Sequence, residues 1–211
     1  MIAIIDYDAG NLKSVEKAFA ALGLEAIATR DHKEILQADQ VVLPGVGSFG
    51  NSMDQLRKYE LDKVIGEVVE KHTPFLGICL GLQLLFEGSE ESKGVEGLGI
   101  LEGEIVKIPD KPGLKIPHMG WNSLSFPRPG RLFEGIEEGV YVYFVHSYYL
   151  KAREESIVRA VTEYSTALPV SVEKNQVFAC QFHPEKSSSM GLKMLQNFAR
   201  TGGDDKCLPK D

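Results

Sequence analysis

No run of this chain is apolar for long enough to cross a bilayer, a span that takes about twenty such residues, so membrane insertion is not expected. Clustered basic residues are missing too. Lys and Arg number 23 against 30 Asp and Glu, a net charge of −7, and no basic stripe tracks a phosphate backbone, so nucleic acid is not an expected partner. Cysteine is scarce. The three, Cys79, Cys180 and Cys207, are odd in number and far apart, which argues against a disulfide framework and leaves room for a reactive thiol. The opening Met1-Ile2-Ala3-Ile4-Ile5-Asp6 lacks the basic leader and small-residue cleavage site of a secretory signal and reads as a strand, so a cytoplasmic location is expected. Internal repeats and low-complexity linkers are absent as well. What remains is an ordinary globular composition, 43% hydrophobic and 25% charged over 211 residues, enough for one sizeable core. The expected organisation is one domain over 1–201 and a flexible polar tail over 202–211.

The first half alternates short apolar runs with amphipathic stretches, the rhythm of an α/β chain with a parallel sheet. Strands are expected at 2–5, 24–28, 40–43 and 74–78, and amphipathic helices at 11–22, stopped by Gly23, and at 61–71. From Gly103 the pattern becomes strict alternation. Strands are expected at 104–108, 121–126, 140–145, 157–161, 169–172 and 177–182, as a mixed or antiparallel extension of the sheet, with a last helix over 187–200.

Cys79 lies in Gly77-Ile78-Cys79-Leu80-Gly81-Leu82-Gln83, between an apolar strand and a helical stretch. That is the cysteine counterpart of a nucleophile elbow: small neighbours permit a sharp turn, the helix start favours the thiolate, and the Leu80 N–H is available to an oxyanion. The plain alternative is a buried small thiol with glycines that allow close packing. A nucleophile needs a base, and His32, His72, His118, His146 and His183 are the candidates. Only His183 stands in a constellation, His183-Pro184-Glu185, at the C-terminal end of a strand where open α/β sheets gather their sites. There Glu185 is placed to orient the imidazole and stabilise its charge. Cys180 and His183 have no second ligand pair at a suitable spacing, so neither a metal nor a cofactor is expected. The loop Pro44-Gly45-Val46-Gly47-Ser48-Phe49-Gly50 follows the third strand and is placed to supply a second N–H, although such a loop also suits phosphate. Gln83 lies one helical turn beyond Cys79 on the same face.

Through Pro44-Gly45-Val46-Gly47, Gly77 to Gln83 and Gln181-Phe182-His183-Pro184-Glu185, nearly the whole chain resembles the class-I, triad-type glutamine amidotransferases. The resemblance implies a flavodoxin-like three-layer sandwich whose central, mostly parallel sheet carries an antiparallel extension. It implies Cys79 as nucleophile on the glutamine amide, His183 as acid and base, and Glu185 as the group that orients His183. It also implies an oxyanion hole at Val46, Gly47 and Leu80, and glutamine contacts from Gln83, His146, Ser147 and Tyr148.

Lys115-Ile116-Pro117-His118-Met119-Gly120-Trp121-Asn122 holds the only Trp, and its plain reading is a loop entering a strand with Trp121 as a packing anchor. The run is also similar to the glutaminase subunits of imidazole glycerol phosphate synthase. So is the opening from Ile4 to Leu12, where Asp8 and Ala9 depart from the usual Gly-Xaa-Gly-Asn-Leu. This second resemblance implies a heterodimer with a (β/α)8-barrel cyclase, which takes ammonia through its interior and converts PRFAR to imidazole glycerol phosphate and AICAR in histidine biosynthesis. Pro117, His118, Met119, Trp121, Asn122 and Lys186 are then expected at the interface, and activity is expected to wait on the synthase's ligand. The alternatives are a glutaminase of pyridoxal phosphate, anthranilate or GMP synthesis, an idle regulatory subunit, or a cysteine hydrolase or peptidase of related fold.

Overall fold

A computed structural model of the chain describes residues 1–202, so Cys207 and nearly all of the expected tail lie outside the described residues. The first half runs β1 (Ile2–Ile5), α1 (Leu12–Ala21), β2 (Ala26–Thr29), α2 (His32–Gln37), β3 (Gln40–Gly45), α3 (Phe49–Lys58), α4 (Leu61–Glu70), β4 (Phe75–Cys79) and α5 (Leu80–Leu84). The second half adds β5 (Gly88–Ser89), β6 (Gly103–Lys107), β7 (His118–Ser123), β8 (Tyr141–His146), β9 (Tyr148–Ala152), β10 (Val158–Tyr164), β11 (Thr166–Lys174), β12 (Val177–Cys180) and α6 (Ser188–Arg200). Two helices are additional to those expected. Asp31 caps α2 by accepting from the Lys33 and Glu34 N–H groups, and α3 rises directly out of the Gly-rich loop.

The central sheet has seven strands in the order β10-β11-β12-β4-β3-β1-β2. β2, β1, β3, β4 and β12 are parallel, β11 pairs antiparallel with β12 and β10 antiparallel with β11, which gives the expected α/β sheet with its antiparallel extension. Successive side chains of a strand point to opposite faces, and each face carries its own core. Ala3, Ile5, Val41, Leu43, Phe75 and Val177 pack with Leu56, Val64, Ile65 and Val68 of α3 and α4. Ile2, Ile4, Leu76, Ile78 and Phe178 pack on the other side with Val15 and Phe19 of α1 and Leu195 and Phe198 of α6. Each such side chain taken from water contributes about 1.5–3 kcal/mol, so these two faces dominate the stability.

One expectation is corrected here. The strands after Gly103 do not all extend the central sheet: β6 and β9 pair with β5 in a separate three-stranded sheet, and β7 and β8 form an antiparallel ribbon. The register of that ribbon pairs His118 with His146 and Ser123 with Tyr141, which moves the first strand back from the expected 121–126. No helix among the described residues is long and apolar enough to cross a membrane.

Candidate active site

The C-terminal ends of β3, β4 and β12 lie side by side in the parallel sheet, and each delivers one part of the site. Cys79 ends β4 and turns directly into α5 with φ 56° and ψ −111°, a backbone that a non-glycine residue adopts at a cost on the order of 1–3 kcal/mol. The turn is held by close packing. A Cβ on Gly81 would overlap the Leu43 carbonyl oxygen of β3, so only glycine lets α5 sit this near the sheet. α5 has five residues, so what it offers the site is its first N–H groups rather than a long dipole.

β12 leads into His183, which is fully buried, and a one-turn helix, Pro184–Lys186, carries Glu185 beneath it. His183 Nδ1 lies 2.8 Å from Glu185 Oε1, and Asn11 Nδ2 donates to the same oxygen at 2.5 Å. The ring is therefore held by a carboxylate that is itself held. His183 Nε2, the atom available to the thiol, has no hydrogen-bond partner among the described residues. Burial opposes charge on His183, but Cys79 and Glu185 outweigh it and raise its pKa from 6.5 to about 9.

Between these groups opens a cavity of about 310 Å³. Val46, Gly47, Cys79, Leu80, Gln83, His146, Ser147, Tyr148 and His183 all line it, so the structure brings every residue expected at the oxyanion or the substrate to one place. Glu185 stands behind His183 rather than in the wall. Gly47 has φ +103°, a backbone suited to glycine at the bend of the loop. Gln83 donates to Gln181 Oε1 at 2.8 Å and to the Tyr148 carbonyl at 3.3 Å, and Gln181 Nε2 donates to Cys79 Sγ at 3.8 Å.

Some participants carried no sign in the sequence reading. Tyr7, fully buried, donates to the Pro44 carbonyl at 2.9 Å and braces the base of the Gly-rich loop, and desolvation raises its pKa well above the usual phenol. Glu91 lines the cavity while accepting from the Phe49 N–H at 2.7 Å. Tyr7 and Asn11 lie in the opening motif, and Gln181 heads the His-Pro-Glu motif. Their positions were in view, but nothing in their spacing announced a role.

The residues expected at a partner face divide. Strand alternation turns Met119 and Trp121 outward, 62% and 52% exposed, and Tyr141 and Lys186 are exposed as well. It turns His118 inward. His118 is buried, stacked 3.9 Å from the Tyr164 ring and 4.8 Å from Phe144, with Nδ1 3.0 Å from His146 Nε2, so it is not a surface residue of this chain. Asn122 is half-buried, and Pro117 both is exposed and lines the cavity. Cys180 is buried, donates to the Phe182 carbonyl at 3.6 Å, and has its pKa raised by burial, as suits a packing thiol.

Comparison with known proteins agrees with this geometry. Residues 3–201 match the family described as Glutamine amidotransferase class-I. The imidazole glycerol phosphate synthase subunit HisH of Moorella thermoacetica is 53% identical over 93% of this chain and 93% of its own length. That of Methanocaldococcus jannaschii is 49% identical over 94% of this chain and 98% of its own. Among solved structures, a glutamine amidotransferase superposes with a TM-score of 0.75 at 20% identity, covering 97% of this chain and all of that one. PurLQS from Thermotoga maritima gives a TM-score of 0.73 at 18% identity over 95% and 97%, a likeness of fold. The chain belongs to the class-I glutamine amidotransferase family, and within it to the HisH subunits of imidazole glycerol phosphate synthase.

Proposed function

We propose that the chain hydrolyses glutamine to glutamate and ammonia through a thioester on Cys79, and passes the ammonia to a synthase partner. The observation that carries this reading is a cysteine at a strained elbow sharing a cavity, sized for a small substrate, with a buried histidine that a carboxylate holds at 2.8 Å. The Cys79 sulfur attacks the side-chain amide carbon, and the oxyanion is met by the Leu80 N–H and by the Val46-Gly47 peptide. His183 gives its Nε2 proton to the departing nitrogen, which leaves as ammonia. The neutral ring then takes a proton from water, whose oxygen attacks the thioester; glutamate is released and the thiolate restored. Glu185, steadied by Asn11, holds the ring and balances its charge. Gln83, His146, Ser147 and Tyr148 form the wall on which glutamine is oriented.

Ammonia released into water at neutral pH is protonated and lost as a nucleophile, so the activity is useful only beside an enzyme that consumes it. The partner is a (β/α)8-barrel cyclase that makes imidazole glycerol phosphate and AICAR from PRFAR in histidine biosynthesis. Its docking face includes Met119, Trp121 and Lys186, two exposed apolar side chains and an exposed cation. Glutamate release by the chain, alone and with a barrel cyclase and its nucleotide, tests the reading. Release that climbs in the complex and vanishes in Cys79→Ala is expected; release that survives Cys79→Ala contradicts it.

A further inference from the structure

Two further buried imidazoles meet at the cavity wall, His146 in its lining and His118 behind it. His118 on β7 and His146 on β8 are paired in register across the ribbon, with His118 Nδ1 3.0 Å from His146 Nε2. Both ends of this contact have a fixed sense. At the cavity end, His146 Nδ1 lies 2.8 Å from the Tyr148 carbonyl oxygen, which can only accept, so Nδ1 carries the proton. A neutral His146 then accepts at Nε2, and His118 must donate from its own Nδ1. That leaves His118 Nε2 as an acceptor, and the Asn122 amide nitrogen faces it at 3.4 Å. The amide cannot turn over without losing two bonds: Nδ2 donates to the Glu163 carbonyl at 3.0 Å, and Oδ1 accepts from the Ser123 N–H at 2.8 Å.

The chain of bonds continues past the ribbon. Gln83 shares the Tyr148 carbonyl and donates to Gln181, whose amide donates to the Cys79 sulfur. A connected set of hydrogen bonds thus runs from Asn122, beside the outward Trp121, to the nucleophile, with the Tyr148 carbonyl accepting from both sides. We propose that His118 is a positioning residue for the glutaminase reaction: by donating to His146 it holds both rings neutral in the Nδ1–H form and fixes the Tyr148 carbonyl in the substrate wall. The proposal rests on the glutaminase reading and gives His118 an inward task in place of partner contact.

The surroundings supply no counter-ion that would favour a proton on either ring. His118 lies between the rings of Phe144 and Tyr164, and its polar neighbours are the Asn122 amide and His146. His146 has His118 on one side and the charged His183 across the cavity, while Glu91, also in the lining, is bonded to the Phe49 N–H. Burial accordingly lowers both pKa values to about 4, with His118 and His183 adding their repulsion at His146.

Two substitutions at His118 separate hydrogen bonding from packing. His118→Phe keeps the stacked ring and removes the donor, whereas His118→Asn gives up the ring but sets its Nδ2 where Nδ1 was. If donation is the task, KM for glutamine rises about tenfold in His118→Phe with kcat within about threefold, and His118→Asn stays within about threefold of the native KM. The reverse ranking, or a native KM in both, overturns the proposal. Nitrogen-15 NMR of the imidazoles reads the same device without turnover. Both rings are expected in the Nδ1–H form at neutral pH, and an Nε2–H or cationic ring at either position overturns the proposal. A lack of glutamate release by the unmodified chain, alone and in complex, counts against the glutaminase reading instead and leaves the NMR result to decide this one.

Discussion

One wall of the cavity holds His183 and another holds His146; both are buried, yet the pKa of the first rises to about 9 and that of the second falls to about 4. Burial works against charge in both places. What differs is the company. His183 has the Glu185 carboxylate at 2.8 Å and the Cys79 sulfur nearby, whereas His146 meets a neutral ring and a backbone carbonyl. The same side chain is thus favoured charged on one wall and neutral on the other. The contributions to stability run oppositely. The His183 pairing contributes fully below pH 6.5, the ordinary value, and is lost as pH rises through about 9. The neutral pair supports the fold above pH 6.5, and that support is lost as pH falls toward about 4.

The two walls should also break differently. The largest effect is expected at the elbow: Gly81→Ala sets a methyl group into the Leu43 carbonyl and should cost about 3 kcal/mol or more of stability. Urea unfolding measures it, and native stability would mean that α5 does not depend on this close approach. On the ribbon, Trp121→Ala removes a ring that is 52% exposed, so folding should hold within about 0.5 kcal/mol while affinity for the proposed barrel partner falls by about 2 kcal/mol. Calorimetric titration of the two chains checks this, and unchanged affinity would move the docking face elsewhere.

The sequence made the first wall far easier to foresee than the second. Gly-x-Cys-x-Gly after an apolar strand and His-Pro-Glu after another are local signals, and a parallel sheet necessarily gathers strand ends, so Cys79, His183 and Glu185 were legible together. Gln83, too, was legible from helical spacing. The ribbon was not, because its register depends on which strand pairs with which across a long connection. A shift of a few residues decided that His118 faces inward while Met119 and Trp121 face out. Tyr7 and Asn11 reach their partners across sequence separations of 37 and 174 residues, and no local pattern encodes such contacts. α2 and α3 were missed for a different reason: six residues make too short a period to read, and the polar Phe49–Lys58 looks like a continuation of its loop.

The most direct test of the contrast between the walls is the pH dependence of kcat/KM for glutamate release, in the native chain and in Glu185→Gln, since this ratio reports groups of the free enzyme. With the carboxylate in place, the profile should stay high through neutrality and fall above about pH 9, where His183 loses its proton. In Glu185→Gln the descending limb should move to lower pH. A limb at the same pH in both proteins would show that Glu185 does not hold the charge on His183, and would contradict the account.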